Sequence, residues 1–262
     1  MNQDQIKDLL LSIEETSLEF SVTFTGKKSK KVNGLYKPDT HEILLHNKNF
    51  VNEMQLIYTA IHEYAHHLQC EADGVLRSAR SHSSVFWARF HRLLEKAEQM
   101  GLYRFDVEGS PELAALTEEI RGKYLAENGR LMKELGTLLL KAHELCEAAG
   151  LRYEDYIDRV LCLPRTAAKT AVKVSTLDIN PSMGYESMKI VAAQGTPEKR
   201  AAAEEQFAAH KSPDLVKTEL ARRLEAEDPV ERLAREKIRL EKTIATLTAR
   251  LEQVEKSLQN AH

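Results

Sequence analysis

Residues 62–67 read HEYAHH, three histidines and a glutamate within the run LIYTAIHEYAHHLQCEADGV. On an α-helix, residues four apart lie about 40° apart around the axis and stack on one face. His62 and His66 therefore point the same way, close enough for two imidazoles to share one ion. Glu63 flanks the pair at an angle unsuited to a ligand but suited to taking a proton from a metal-activated water. Two ligands and a base on adjoining faces are the mechanical content of H-E-x-x-H. Zinc is the expected cofactor, since it brings the pKa of such a water towards roughly 7. Ile57, Ile61, Tyr64 and Leu68 place the motif on a partly buried helix, where unpartnered polar groups are costly. His67, about 100° beyond His66, is expected at the surface or in a supporting role.

Catalytic zinc takes three protein ligands and keeps one position open. A continuation with glycine and then histidine at three-residue steps after His66 is ruled out, because Gln69 and Ala72 stand there. Glu95 and Glu98 on the next helix are candidates. His82 in SHSSVFWARF is the better one, since a helix–loop–helix return can bring it back over the first helix. His91, in mid-helix, is expected to be structural or exposed.

The elements that must position these residues divide the chain into three parts. Residues 1–108 are expected to form a small α+β domain. An amphipathic helix (Ile6, Leu9, Leu10, Ile13) precedes a period-two strand with Leu18, Phe20, Val22 and Phe24 on one face. A basic turn, KKSKKVNG, leads to two short strands, GLYKP and HEILLHN. A helix over about 52–72 carries the motif, and a second runs from near Ser81 to Gln99. Residues 109–211 read as all helical, with breaks at Gly129, Gly150, Pro164, Asn180-Pro181 and Gly195. Residues 212–262 read as long helices. Ser212-Pro213 and Asp228-Pro229 are N-cap and N1 pairs. Leu233, Leu240, Ile244, Leu247, Leu251, Val254 and Leu258 form a coiled-coil seam interrupted at Lys237, with Arg250 and Glu255 flanking it. Such a seam suits a homodimer or an antiparallel pair with the 212–227 helix.

Composition narrows the function classes. The net charge of −3 argues against wholesale coating of nucleic acid but not against a local basic patch. Three widely spaced cysteines fit reduced thiols in a cytoplasmic protein better than a disulfide framework. No apolar run approaches a membrane span, and the acidic opening is not read as a signal peptide. Arg165, Lys169 and Lys173 recur at i+4 on a short helix after Pro164, in the outline of a helix-turn-helix, and would suit phosphate contacts with DNA. The plain alternative is a solvated helix face.

HEYAHH and SHSSVFW, preceded by GLYKPDTHEILL, resemble the SprT-like, WLM and YgjP-like group of small zinc metallopeptidases. The resemblance spans about residues 30–105. It implies a zincin-like domain in which His62, His66 and His82 hold zinc and Glu63 is the general base. Phe86 and Trp87 match the apolar pair that anchors the second helix. Ser83 stands where the SprT-type pattern often has glycine, which favours the HSxxFW branch. The implied activity is peptide-bond hydrolysis, with VNGLYKP or HEILLHN holding an extended polypeptide substrate by strand addition and Tyr36 or Tyr58 placed to polarise the carbonyl. The competing expectation is a DNA-binding or protein-interaction protein whose zinc domain serves binding.

Overall fold

A computed structural model describes residues 1–73 and 82–225, together with Lys237, Glu241, Ile244 and Thr248. The described residues up to Thr218 pack as one unit, and the described residues from Glu219 on belong to a second. The described chain is mostly helical with one small sheet, α+β first and all-α afterwards.

The N-terminal helix α1 (Gln3–Ile13) is fixed by a capping box, in which the Asn2 side chain accepts from the Gln5 N–H and the Gln5 side chain accepts from the Asn2 N–H. Its stripe of Ile6, Leu9, Leu10 and Ile13 is buried, as the period of the sequence requires. Strands β1 (Ser21–Phe24), β2 (Gly34–Lys37) and β3 (Glu42–Leu45) follow. The sheet order is β1-β3-β2, with β1 parallel and β2 antiparallel to β3. HEILLHN is therefore the central strand, paired on both sides, and the expectation that it receives a substrate strand fails. GLYKP is an edge.

Register decides what that edge offers. The His46 N–H donates to the Asn33 carbonyl at 2.9 Å, which makes this pair a hydrogen-bonded one. Bonding alternates along an antiparallel ladder. Leu35 and Lys37 thus bond inward to Leu44 and Glu42, while Gly34 and Tyr36 turn their backbone N–H and C=O groups away from the sheet.

Helix α2 (Glu53–Asp73) starts where the Asn52 side chain accepts from the Gln55 N–H at 3.0 Å. Leu56, Ile57, Ala60, Ile61, Tyr64, Ala65 and Leu68 form its buried face. Helix α3 (Ser84–Gln99) buries Phe86, Phe90, Leu93, Leu94 and Ala97 into the same core, together with the α1 stripe, Phe20, Ile43 and Leu45. The expected start near Ser81 lies outside the described residues, and α3 begins at Ser84 with Ser83 as its N-cap.

The all-α part contains α4 (Pro111–Glu119), a π-helical stretch (Ile120–Ala126), α5 (Glu127–Ala148) and α6 (Tyr153–Asp155) with a π turn after it. Helices α7 (Arg165–Ser175), α8 (Tyr185–Ala193), α9 (Pro197–Ala208) and α10 (Pro213–Glu225) complete it. Gly129 does not break a helix; it is buried within α5. A Cβ there would lie 2.3 Å from the Pro181 carbonyl oxygen, and one at Gly136 would lie 2.2 Å from that of Ala171. Both glycines permit close packing against α5, and Leu139, Ile157, Ala168 and Ala171 form a separate core there. Ser212 caps α10, accepting from the Leu215 N–H. Of the expected seam only Ile244 is described, helical and exposed; the other seam residues, Arg250, Glu255 and Asp228-Pro229 lie outside the described residues. No described helix is long and apolar enough to cross a membrane.

Candidate metal centre

Two helices bring the three expected ligands together. His62 and His66 come from successive turns of α2. His82 stands just before the N-cap of α3, where Ser83 accepts from the Phe86 N–H and so fixes the start of the helix. His82 Nε2 lies 3.1 Å from His62 Nε2 and 3.2 Å from His66 Nε2. These residues form a group that could hold a metal ion.

The donor set fits a cation better than it fits itself. His82 Nε2 carries at most one proton, so it can bridge only one of its two neighbours by a hydrogen bond. The other contact is left without a linear hydrogen bond of its own. A tetrahedral ion at about 2.05 Å from each nitrogen would separate its ligands by roughly 3.3 Å, close to the spacings found. Burial is graded from His66, at 8% exposed, to the solvent-exposed His82, so the cluster is open on one side.

Aromatic rings form the closed side. Phe86, fully buried, stacks on His66 with ring centroids 4.2 Å apart, and its ring lies 5.0 Å from His62 and 4.9 Å from His82. Trp87 stacks on His82 at 5.4 Å. Burial in this apolar wall, reinforced by the neighbouring imidazoles, lowers the pKa of His62 to about 4 and of His66 to about 3. Both rings are thus neutral at physiological pH, the form that binds metal. His66 Nδ1 is buried without a hydrogen-bond partner, so stacking on Phe86 orients this ring.

Glu63 is 7% exposed and sits beneath the edge strand, where the Tyr36 N–H donates to its Oε2 at 2.8 Å. Burial raises its pKa to about 7, and the Tyr36 N–H works against that rise. Gly34 makes the approach feasible. A Cβ there would lie 2.8 Å from Thr59 Cγ2 and 2.9 Å from both Cγ and Oε1 of Glu63.

His67 is wholly buried, which removes the surface alternative of the expectation and leaves the supporting one. Its Nδ1 meets the Tyr36 hydroxyl at 3.2 Å and its Nε2 lies 3.1 Å from the Leu18 carbonyl. Glu63 and His67 therefore clamp the same strand residue from successive turns of α2, one by its backbone and one by its hydroxyl. Sequence reasoning missed this link, and only the third histidine of HEYAHH hinted at it. The Tyr36 hydroxyl, also bonded to His41 at 2.9 Å, is engaged away from the histidine cluster. Tyr58, one turn before His62 and 41% exposed, lines the cleft.

That cleft, about 530 Å³, runs between β2 and α2 past His62, Glu63, His66 and His82. A larger groove of about 1290 Å³ adjoins it, sharing Asn33, Tyr58 and Thr59. Glu95 and Glu98 line the larger groove and not the cleft with the histidines. His91 packs its ring against Phe90 and Trp87.

Arg165, Lys169 and Lys173 do share one exposed face of α7, opposite the buried Ala168, Ala171 and Val174. The Arg165 guanidinium, however, is engaged by the Asp158 carboxylate through its Nε at 2.9 Å and its Nη2. One of the three cations is thus already neutralised. The chain matches no protein-family model, no curated protein and no solved structure.

Proposed function

We propose that this chain is a zinc-dependent metallopeptidase of the SprT-like, WLM and YgjP-like kind, with a zincin-like catalytic domain. The observation that carries the reading is the convergence of three histidine Nε2 atoms beside a buried carboxylate, directly under the outward edge of a strand. His62, His66 and His82 hold the metal. Bound zinc supplies Lewis acidity that activates a water and polarises the peptide carbonyl.

The remaining steps belong to the chain. Glu63 accepts a proton in forming the nucleophile and returns it to the leaving amine, and its carboxylate is held in place for both by the Tyr36 N–H. The outward C=O groups of Gly34 and Tyr36 and the Gly34 N–H pair with an extended polypeptide, a recognition mode tolerant of sequence. Tyr58 is the tyrosine placed to meet the substrate. The Phe86 and Trp87 rings exclude water behind the histidines and keep them neutral. The free cysteines, two of them buried, suit a reducing, cytoplasmic setting.

The C-terminal heptad pattern suits a homodimer or an antiparallel pair with the 212–227 helix, and the homodimer is the reading put to test. Truncation after Asp228 should lower the solution mass to that of a monomer; an unchanged mass would contradict the dimer. The catalytic reading is tested by metal analysis followed by proteolysis with and without Glu63→Gln.

A further inference from the structure

The turn GKKSKKVNG precedes the edge strand, and the catalytic reading leaves its lysines unused. Lys27, Lys28, Lys30 and Lys31 are all exposed. No acidic residue occurs between Phe20 and Pro38. Lys37, on β2 itself, pairs with Glu42 at 2.9 Å, whereas the other four have no ion-pair partner among the described residues. A chain of net charge −3 thus concentrates four uncompensated cations in five positions.

Their backbone is held firmly. The Ser29 N–H donates to Asn49 Oδ1 at 2.9 Å, and Asn49 Nδ2 donates to the Ser29 carbonyl at 2.8 Å and to Asn33 Oδ1 at 2.9 Å. The Gly26 N–H donates to Asn47 Oδ1 at 3.0 Å. The loop then runs directly into Val32, Asn33 and Gly34, which line the cleft, while Asn33 and Asn49 also line the adjoining groove. The loop that carries the lysines thus leads directly into the wall of the cleft.

We propose that this lysine loop recognises acidic stretches in the polypeptide that lies along β2, a specificity that rests on the peptidase reading. The partner is a polypeptide because the neighbouring strand turns backbone donors and acceptors outward, and these pair with another peptide backbone. Charge complementarity then selects among sequences that the backbone contacts treat alike. At about 3.3 Å per residue, the selected acidic residues lie within a few positions of those held beside Gly34.

The test uses the full-length, zinc-loaded Glu63→Gln protein, so that binding is read without turnover. Fluorescence anisotropy compares two labelled peptides with the same centre, one flanked by four glutamates and one by four glutamines. The acidic peptide should bind about tenfold more tightly at low salt, as several exposed charge pairs together allow. The preference should shrink as salt rises. Replacing the four lysines by glutamine should abolish the preference and leave zinc content unchanged. Replacing all four lysines by glutamate should turn it towards a lysine-flanked peptide.

Equal affinities, or a preference that survives the quadruple substitution, would overturn the proposal. So would duplex DNA that binds more tightly through the same lysines and displaces the peptide. If the acidic peptide binds through the lysines but the unmodified protein cleaves neither peptide, the recognition site stands and the peptidase reading falls.

Discussion

Glu63→Gln should stabilise the metal-free protein above neutral pH, although it removes the proposed base. The folded protein raises this carboxyl from the ordinary 4.5 to about 7, chiefly by burial. Between those values the folded state holds a proton that the unfolded chain has released, so stability falls as pH rises through the window. Above pH 7 both states are ionised and the loss levels off. At about 1.4 kcal/mol per pH unit the full loss is roughly 3 kcal/mol. Glutamine keeps the shape and still accepts from the Tyr36 N–H, but buries an amide, so the net gain is about 2 kcal/mol. For a chain of this size that is roughly 4–8 °C in Tm. Thermal unfolding with chelator at pH 5 and pH 8 should show a small difference between the two proteins at pH 5 and this larger one at pH 8. His62 and His66 titrate in the opposite sense, being less protonated in the folded state below pH 6.5, but they are common to both proteins and cancel in the difference. Zinc should narrow the gap, because a cation beside Glu63 offsets the buried charge. Identical pH profiles for the two metal-free proteins would refute the reasoning.

Gly34→Ala should abolish hydrolysis while leaving metal bound, since the atoms nearest its Cβ belong to Thr59 and Glu63; overpacking of this kind costs about 1–3 kcal/mol, readable by denaturant unfolding. His82→Ala should reduce zinc from about one per chain to a small fraction, because two histidines leave too few protein ligands. Glu95→Ala and Glu98→Ala should leave zinc content unaltered. Full zinc in His82→Ala, with loss in either glutamate variant, would reassign the third ligand.

Much of the site was legible because helical spacing is local. Four-residue steps set His62 and His66 on one face, and the apolar period set how deeply α2 is buried. His82 was reachable from sequence only through the length of the return between two helices. What stayed hidden depends on contacts between distant segments. Alternation marks a strand but not its neighbours, so HEILLHN and GLYKP looked equivalent until pairing made one central and one an edge. The burial of His67 follows from the Leu18 carbonyl and the Tyr36 hydroxyl, 49 and 31 residues away in sequence. Gly129 reads as a break by propensity, yet close packing on α5 is what requires it. The basic stripe on α7 was placed correctly on one face, but the i+4 spacing that defined it carried no sign of Asp158, seven residues before Arg165.

The central claim is that Glu63 performs hydrolysis beside a histidine-bound zinc. Its most direct test is proteolysis of a denatured, fluorescently labelled protein by matched preparations of the unmodified chain and Glu63→Gln, with zinc measured in both. Equal zinc at about one per chain, cleavage only by the unmodified protein, and loss with chelator restored by zinc are the results expected. Cleavage by both proteins alike, or zinc-loaded unmodified protein that cleaves nothing, would contradict the account.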